Sequence, residues 1–295
     1  MPIGVKTLFS PGHTACAGCG QAIGARLVLD TAGPNTIIAN NTGCLEVFST
    51  KFPETAWGVP WIHSLFENAA AVASGIEAAL KYLGIKDKIN VIAQAGDGGT
   101  ADIGLQALSG MLERGHDILY VCYDNEAYQN TGNQRSSATP LGALTTTTPL
   151  GKVLKGKLKS RKDIMKIAEA HNLPYLAQAA VHNWADLNQK AKKALEIKGP
   201  TFLNVFSPCV IGWKYSPSLI VEISKLAAET CFWPIYEVEN GKFNLNYQPK
   251  KKLSIKEFIK FQGRFKHLLK SENQDILNQL QQEVDRRWND LLKRK

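Results

Sequence analysis

Along the middle of the chain, apolar residues fall into two alternating rhythms. Leu65, Ala69, Val72, Ala73, Ile76, Leu80 and Leu83 recur at steps of three and four, which predicts one face of a helix over 64–83, ended by Gly84. Ile89 to Ala95 is a short apolar run of strand character that enters Gly96-Asp97-Gly98-Gly99. A helical pattern through Ile103, Ala107, Leu108, Met111 and Leu112 follows, starting near Thr100 and stopping at Gly115. A second apolar run, Ile118 to Cys122, leads into Asp124-Asn125. Strand, glycine turn, helix and strand predict a βαβ unit. Its right-handed crossover sets the strands parallel and brings Asp97 and Asn125 to the same C-terminal sheet edge. The alternation resumes with a helix over 163–171, a strand over 175–180, a helix over 184–197 and a strand over 201–206, which delivers Cys209 into a loop at that edge.

Between these units, residues 126–151 are aperiodic and rich in Thr, Gly, Asn and Ser, too long for an idle connection, and read as a functional loop over the site. Beyond Trp213 the chain changes character. A hairpin is predicted around Trp233 to Tyr247, then a helix over 254–270, then a final helix whose stripe of Ile276, Leu280, Val284, Trp288 and Leu291 would pack on its own domain or on a partner subunit. The expected architecture is α/β, a mostly parallel sheet with helices on both faces over 1–212, with a helical C-terminal extension over 213–295.

A chain of 295 residues with 44% hydrophobic residues can bury a substantial core. No run of 18 apolar residues occurs, and no basic segment followed by an apolar one opens the chain, so neither export nor membrane spanning is expected, and the location expected is cytoplasmic. Six cysteines in a reducing compartment are poorly explained as disulfides. The net charge of +9 is concentrated in 242–295, where 14 Lys/Arg face 6 Asp/Glu. That tail has no nucleic-acid-binding pattern and reads as a solvated face or a docking surface for an acidic protein.

Two groups of residues carry candidate chemistry. Asp97 and Asn125 offer an anionic and a neutral oxygen at neighbouring strand ends, as Mg²⁺ requires. Gly96, Gly98 and Gly99 let backbone approach a diphosphate at a helix N-terminus. Cys16-Ala-Gly-Cys19, Thr42-Gly43-Cys44 and Ser207-Pro208-Cys209 are turn-borne thiols that suit a [4Fe–4S] cluster, with a Cys₄ zinc site as the alternative. The third and fourth cysteines lie 25 and 190 residues from Cys19, which indicates a site assembled by the fold rather than by two zinc knuckles. Cys122 reads as a core residue and Cys231 as packing. His63 suits a general base or a capping and packing role ahead of a helix, and Arg135 could meet a substrate carboxylate.

Taken in order, Cys16-Ala-Gly-Cys19-Gly20, Thr42-Gly43-Cys44, Gly96-Asp97-Gly98, Asp124-Asn125-Glu126-Ala127-Tyr128-Gln129-Asn130-Thr131-Gly132 and Thr145 to Pro149 resemble the β subunit of pyruvate:ferredoxin oxidoreductases, from about Gly12 to Tyr236. The resemblance implies the diphosphate-type module of the thiamine diphosphate-binding fold. It implies thiamine diphosphate held through Mg²⁺ on Asp97, Asn125 and the Ala127 carbonyl, with Asn130 near the thiazolium and substrate. It assigns Cys16, Cys19, Cys44 and Cys209 to the [4Fe–4S] cluster nearest the thiamine. The implied reaction is the oxidative decarboxylation of pyruvate with coenzyme A to acetyl-CoA and CO₂, electrons passing through the cluster to ferredoxin. An α subunit would supply the glutamate at the pyrimidine ring, and a ferredoxin-like subunit the remaining clusters. The same machinery on a branched-chain 2-oxo acid, 2-oxoglutarate or oxalate is one alternative. Others are a non-redox thiamine enzyme, or a binding protein, with structural zinc.

Overall fold

The computed structural model describes residues 7–51 and 53–295, so the reading of the chain's opening falls partly on residues 1–6, outside the described residues. Strands β1 (Thr36–Asn40), β2 (Trp61–His63), β3 (Asn90–Gly96), β4 (Leu119–Asp124), β5 (Tyr175–Ala180), β6 (Thr201–Phe206), β7 (Tyr236–Glu239) and β8 (Lys242–Leu245) form one sheet in the order β2-β1-β3-β4-β6-β5-β7-β8. The first six pair in parallel, while β7 and β8 add antiparallel at the β5 edge. Side chains alternate between two cores with the period of two that a strand imposes. Ile38, Ile92, Leu119, Val121 and Tyr123 enter one layer, and Ala39, Val91, Ala93, Tyr120 and Cys122 enter the other.

Helices cover both faces. In chain order they are α1 (Gly20–Ala32), α2 (Cys44–Ser49), α3 (Ala69–Tyr82), α4 (Asp97–Ala101), α5 (Leu105–Glu113), α6 (Ile164–Glu169), α7 (Trp184–Glu196), α8 (Val210–Trp213), α9 (Ile220–Glu229), α10 (Ile255–Ile259) and α11 (Gln274–Leu292). The first core is closed by α1, α7, α9, α10 and α11, and the second by α3, α5 and α6. No described helix is long and apolar enough to cross a membrane.

Three expectations need correction. The helix after Gly96 begins at Asp97 rather than near Thr100, and it breaks before Leu105, which leaves Ile103 exposed. The break has a cause: the Asp102 carboxylate accepts from Tyr128 Oη at 3.0 Å and from the Ser137 N–H at 2.9 Å, which draws the backbone out of helical register toward the following loop. Leu65 lies outside α3, which starts at Ala69, and is itself exposed. The helix predicted over 254–270 splits into α10 and a 3₁₀ segment, Gly263–Leu269. There the Gly263 N–H donates to the Lys214 carbonyl, and the chain turns to pack against α8.

Phe258 of α10 is fully buried, with ring centroids 4.7 Å from Phe232 and 6.2 Å from Phe206 of β6. Phe258→Ala is expected to cost about 3–5 kcal/mol of stability. In denaturant unfolding this lowers the midpoint at unchanged slope. Tyr82→Ala, at a side chain 92% exposed, should change stability by less than about 0.5 kcal/mol.

Candidate active site

Four parallel strands discharge their functional residues at one edge. β1 leads to Cys44, β3 to Asp97, β4 to Asn125 and β6 to Cys209. Register keeps these ends level: Gly96 pairs with Tyr123, and Asp124 with Phe206. The Cys16–Cys19 loop joins them because α1 begins against the end of β6. The Gly20 N–H donates to the Pro208 carbonyl at 3.1 Å, and a β-carbon on Gly20 would lie 2.6 Å from the Ser207 carbonyl carbon.

The turn after β4 is built to present oxygens. Glu126 sits at φ 64° with a fully buried side chain, a costly conformation for a residue other than glycine. It is held there from several sides. Its N–H donates to Asp124 Oδ1 at 2.9 Å, its Oε1 accepts from Arg161 at 2.7 Å, and its Oε2 accepts from Arg264 at 2.6 Å; Arg161 also bonds Asp124. Two carboxylates and two guanidiniums balance, which leaves the buried Asp97 without a guanidinium partner. Ser136 Oγ donates to Asp97 Oδ2 at 2.5 Å. Burial, aided by the nearby Asp124 carboxylate, pushes Asp97 well above the ordinary carboxylate range.

The remaining Asp97 oxygen completes a test of fit for a cation. The side-chain amide of Asn125 stands between the other two groups: its nitrogen donates to Asp97 Oδ1 at 3.0 Å and to the Ala127 carbonyl at 2.9 Å, and its oxygen accepts from Gln21 Nε2 at 3.0 Å. Turned over, the same amide would present its oxygen beside the Asp97 carboxylate and the Ala127 carbonyl, so one point can receive three oxygen ligands. Oxygen donors of this kind suit Mg²⁺.

Three of the four cysteines stand at helix N-termini, where unpaired N–H groups favour a thiolate. Cys19 caps α1, Cys44 opens α2, and Cys209 caps α8 and accepts from the Gly212 N–H at 3.4 Å. Burial pushes the Cys19 thiol up to about 11, against the pull of the Gln21 and Ala22 N–H groups. Burial and then the neighbouring thiols likewise raise Cys44. Cys209 is raised mainly by burial. Thiols so placed do not ionise together unless metal ions carry the opposing charge. Among the described residues no three His, Cys, Asp or Glu side chains come together as ligands of one metal ion. The four cysteines instead surround a cavity of about 660 Å³, an arrangement suited to a cage of several metal ions.

A second cavity, of about 530 Å³, is lined by Gly96, Asp97, Gly98, Gly99, Asn125 and Ala127, among others. Gln21, Cys44, Asn125 and Asn130 line both cavities. Gly98 is required for its shape, since a β-carbon there would lie 2.2 Å from the Tyr128 ring. The loop after β4 is a fixed wall: Thr139 Oγ1 donates to the Glu126 carbonyl at 2.6 Å, and the buried Lys157 donates to the Ser137 carbonyl at 2.9 Å.

Ser136, Arg161, Arg264 and Gln21 escape sequence reasoning, because their roles arise only when distant segments meet. His63 lies on β2, not at a helix start, and its Nε2 is 2.7 Å from Thr42 Oγ1. Arg135 is exposed and lines neither cavity. Cys122 and Cys231 are buried.

Residues 41–205 match the model of the C-terminal thiamine pyrophosphate-binding domain of thiamine pyrophosphate enzymes. That span includes Cys44, Asp97 and Asn125 but not Cys16, Cys19 or Cys209. Pyruvate synthase subunit PorB of Methanocaldococcus jannaschii is 57% identical over 88% of this chain and 89% of its own length. Ketoisovalerate oxidoreductase subunit VorB of Pyrococcus abyssi is 48% identical over 97% of this chain and 92% of its own. A solved 2-oxoglutarate:ferredoxin oxidoreductase from Magnetococcus marinus, with 2-oxoglutarate, coenzyme A and succinyl-CoA bound, shares the fold. Its TM-score is 0.56 at 22% identity, covering 72% of this chain and 77% of that one. The cation-ready turn after β4 thus lies in a thiamine pyrophosphate-binding domain, and the chain belongs to the family of PorB-type subunits of 2-oxoacid oxidoreductases.

Proposed function

We propose that this chain is the β subunit of a pyruvate:ferredoxin oxidoreductase that holds the diphosphate end of thiamine diphosphate and a [4Fe–4S] cluster side by side. The observation that carries this reading is the wall the two cavities share, formed by Gln21, Cys44, Asn125 and Asn130. When bound, thiamine diphosphate supplies the nucleophilic carbon and electron sink for decarboxylating a 2-oxo acid, and the cluster supplies a one-electron acceptor beside it.

The chain's own residues bind and orient. Asp97, Asn125 and the Ala127 carbonyl offer oxygens to Mg²⁺, and Ser136 fixes which Asp97 oxygen faces it. The N-terminal turn of α4 would meet the diphosphate with its backbone N–H groups. Cys16, Cys19, Cys44 and Cys209 ligate the cluster, and three of them lie outside the span common to thiamine enzymes. That distribution fits a role that thiamine binding alone does not need. Asn130, on the shared wall, is suited to meet the substrate.

No glutamate is among the residues lining either cavity, which supports an α subunit as the source of the pyrimidine-side carboxylate. Exposed Val47, Ile62 and Leu65, beside the wall residues Cys44, Leu45 and Phe66, offer that subunit an apolar edge. In this reading residues 1–212 are the cofactor domain and 213–295 an extension packed on it. A ferredoxin-like cluster subunit passes electrons to ferredoxin, and coenzyme A receives the acyl group in the cytoplasm. The relationship to a ketoisovalerate oxidoreductase subunit keeps a branched-chain 2-oxo acid as the second reading.

A direct test purifies the complex anaerobically and adds 2-oxo acids one at a time, with and without coenzyme A, while following bleaching of the cluster's visible absorbance. Pyruvate is expected to bleach fastest; a faster response to 3-methyl-2-oxobutanoate would favour the second reading. No response to any 2-oxo acid in iron-replete protein would sink both. Ser136→Ala should weaken Mg²⁺-dependent thiamine diphosphate binding about 10–100-fold by calorimetry, as loss of a group that orients a metal ligand does. Cys209→Ser should lose cluster absorbance and iron while keeping thiamine diphosphate affinity within about threefold, because a serine cap retains the N-terminal hydrogen bond of α8.

A further inference from the structure

Arg264 belongs to the C-terminal extension, yet it is buried between the two cofactor-binding segments. Its guanidinium carbon lies 3.6 Å over the Trp213 ring, and Nε donates to Gln262 Oε1 at 2.9 Å. A third contact is the 2.6 Å ion pair with Glu126. Trp213 is the last residue of α8: its N–H donates to the Cys209 carbonyl at 3.0 Å, and its indole N–H donates to the Asn125 carbonyl at 2.9 Å. The ion pair is therefore a buried dipole, with its negative end on the diphosphate turn and its positive end against the helix that Cys209 caps. With Arg264 only 4% exposed, solvent does little to screen it.

We propose that Arg264 is a positioning residue that raises the reduction potential of the cluster held by Cys209, so that the extension biases the first electron toward the cluster. The inference rests on the cluster reading above. Cluster reduction takes up one electron and makes or breaks no bond to the protein, so a fixed positive charge nearby stabilises the product by electrostatics alone. Burial and charge are levers on cluster potential of this kind.

The test is an EPR-monitored redox titration of the cluster in the purified holo-complex, with iron content measured alongside. Arg264→Met combined with Glu126→Gln removes the dipole without burying an unpaired charge. It should shift the midpoint to more negative values, by about tenfold in the electron equilibrium, or ~59 mV for one electron. Arg264→Lys keeps the charge but loses the planar fork and should stay near wild type. An unshifted double variant, or a lysine variant shifted as far as the double variant, overturns the inference while leaving the cluster reading intact. A wild-type complex without iron overturns both.

Discussion

The buried chain of charges Asp124, Arg161, Glu126 and Arg264 is the constraint on which the rest of the site depends. It holds Glu126 in a left-handed conformation that costs of order 1–3 kcal/mol. That conformation lets the Asn125 side chain and the Ala127 carbonyl face the same point. Such networks add little net stability against an apolar alternative, but removing one partner costs about 3–5 kcal/mol because the other charge is stranded. The turn is thus specified rather than merely stabilised. The same network engages both arginines with Asp124 and Glu126, and so leaves Asp97 a buried carboxyl with no guanidinium of its own, which favours ionisation only where a cation stands beside it.

Topology does the second half of the work. A parallel sheet sends every strand end to one edge, so Cys44, Asp97, Asn125 and Cys209 become neighbours although 165 residues separate the first from the last. The helices that follow turn their N-termini back on that edge, where, in the proposed reading, a diphosphate and an anionic cluster would both gain from helix N-terminal N–H groups. Trp213 ties the two halves, with one N–H bonded to the Cys209 carbonyl and the other to Asn125.

Much of this was legible from residue order. β3, β4, β5 and β6 follow apolar runs that close within two residues of their observed ends, and Asp97, Asn125 and Cys16, Cys19, Cys44 and Cys209 stand at turns where composition marks them. The secondary structure of the stretch up to His63 carries no clear period, for a physical reason. The apolar residues of α1 are nearly continuous, which blurs its period, while β1 spans five residues and β2 three. The split of the 254–270 helix depends on packing against Lys214, and Glu126 meets Arg264 across 138 residues. No local pattern encodes either contact.

In the proposed reading, the thiamine diphosphate and cluster sites are separate in ligands but joined by one wall. Asp97→Asn in the anaerobic holo-complex tests it most directly, by cluster absorbance after addition of 2-oxo acid without coenzyme A. The expected variant has full iron content and a cluster reducible by dithionite, but shows no reduction by the 2-oxo acid. Reduction at the wild-type rate, or loss of iron along with loss of thiamine binding, would contradict it.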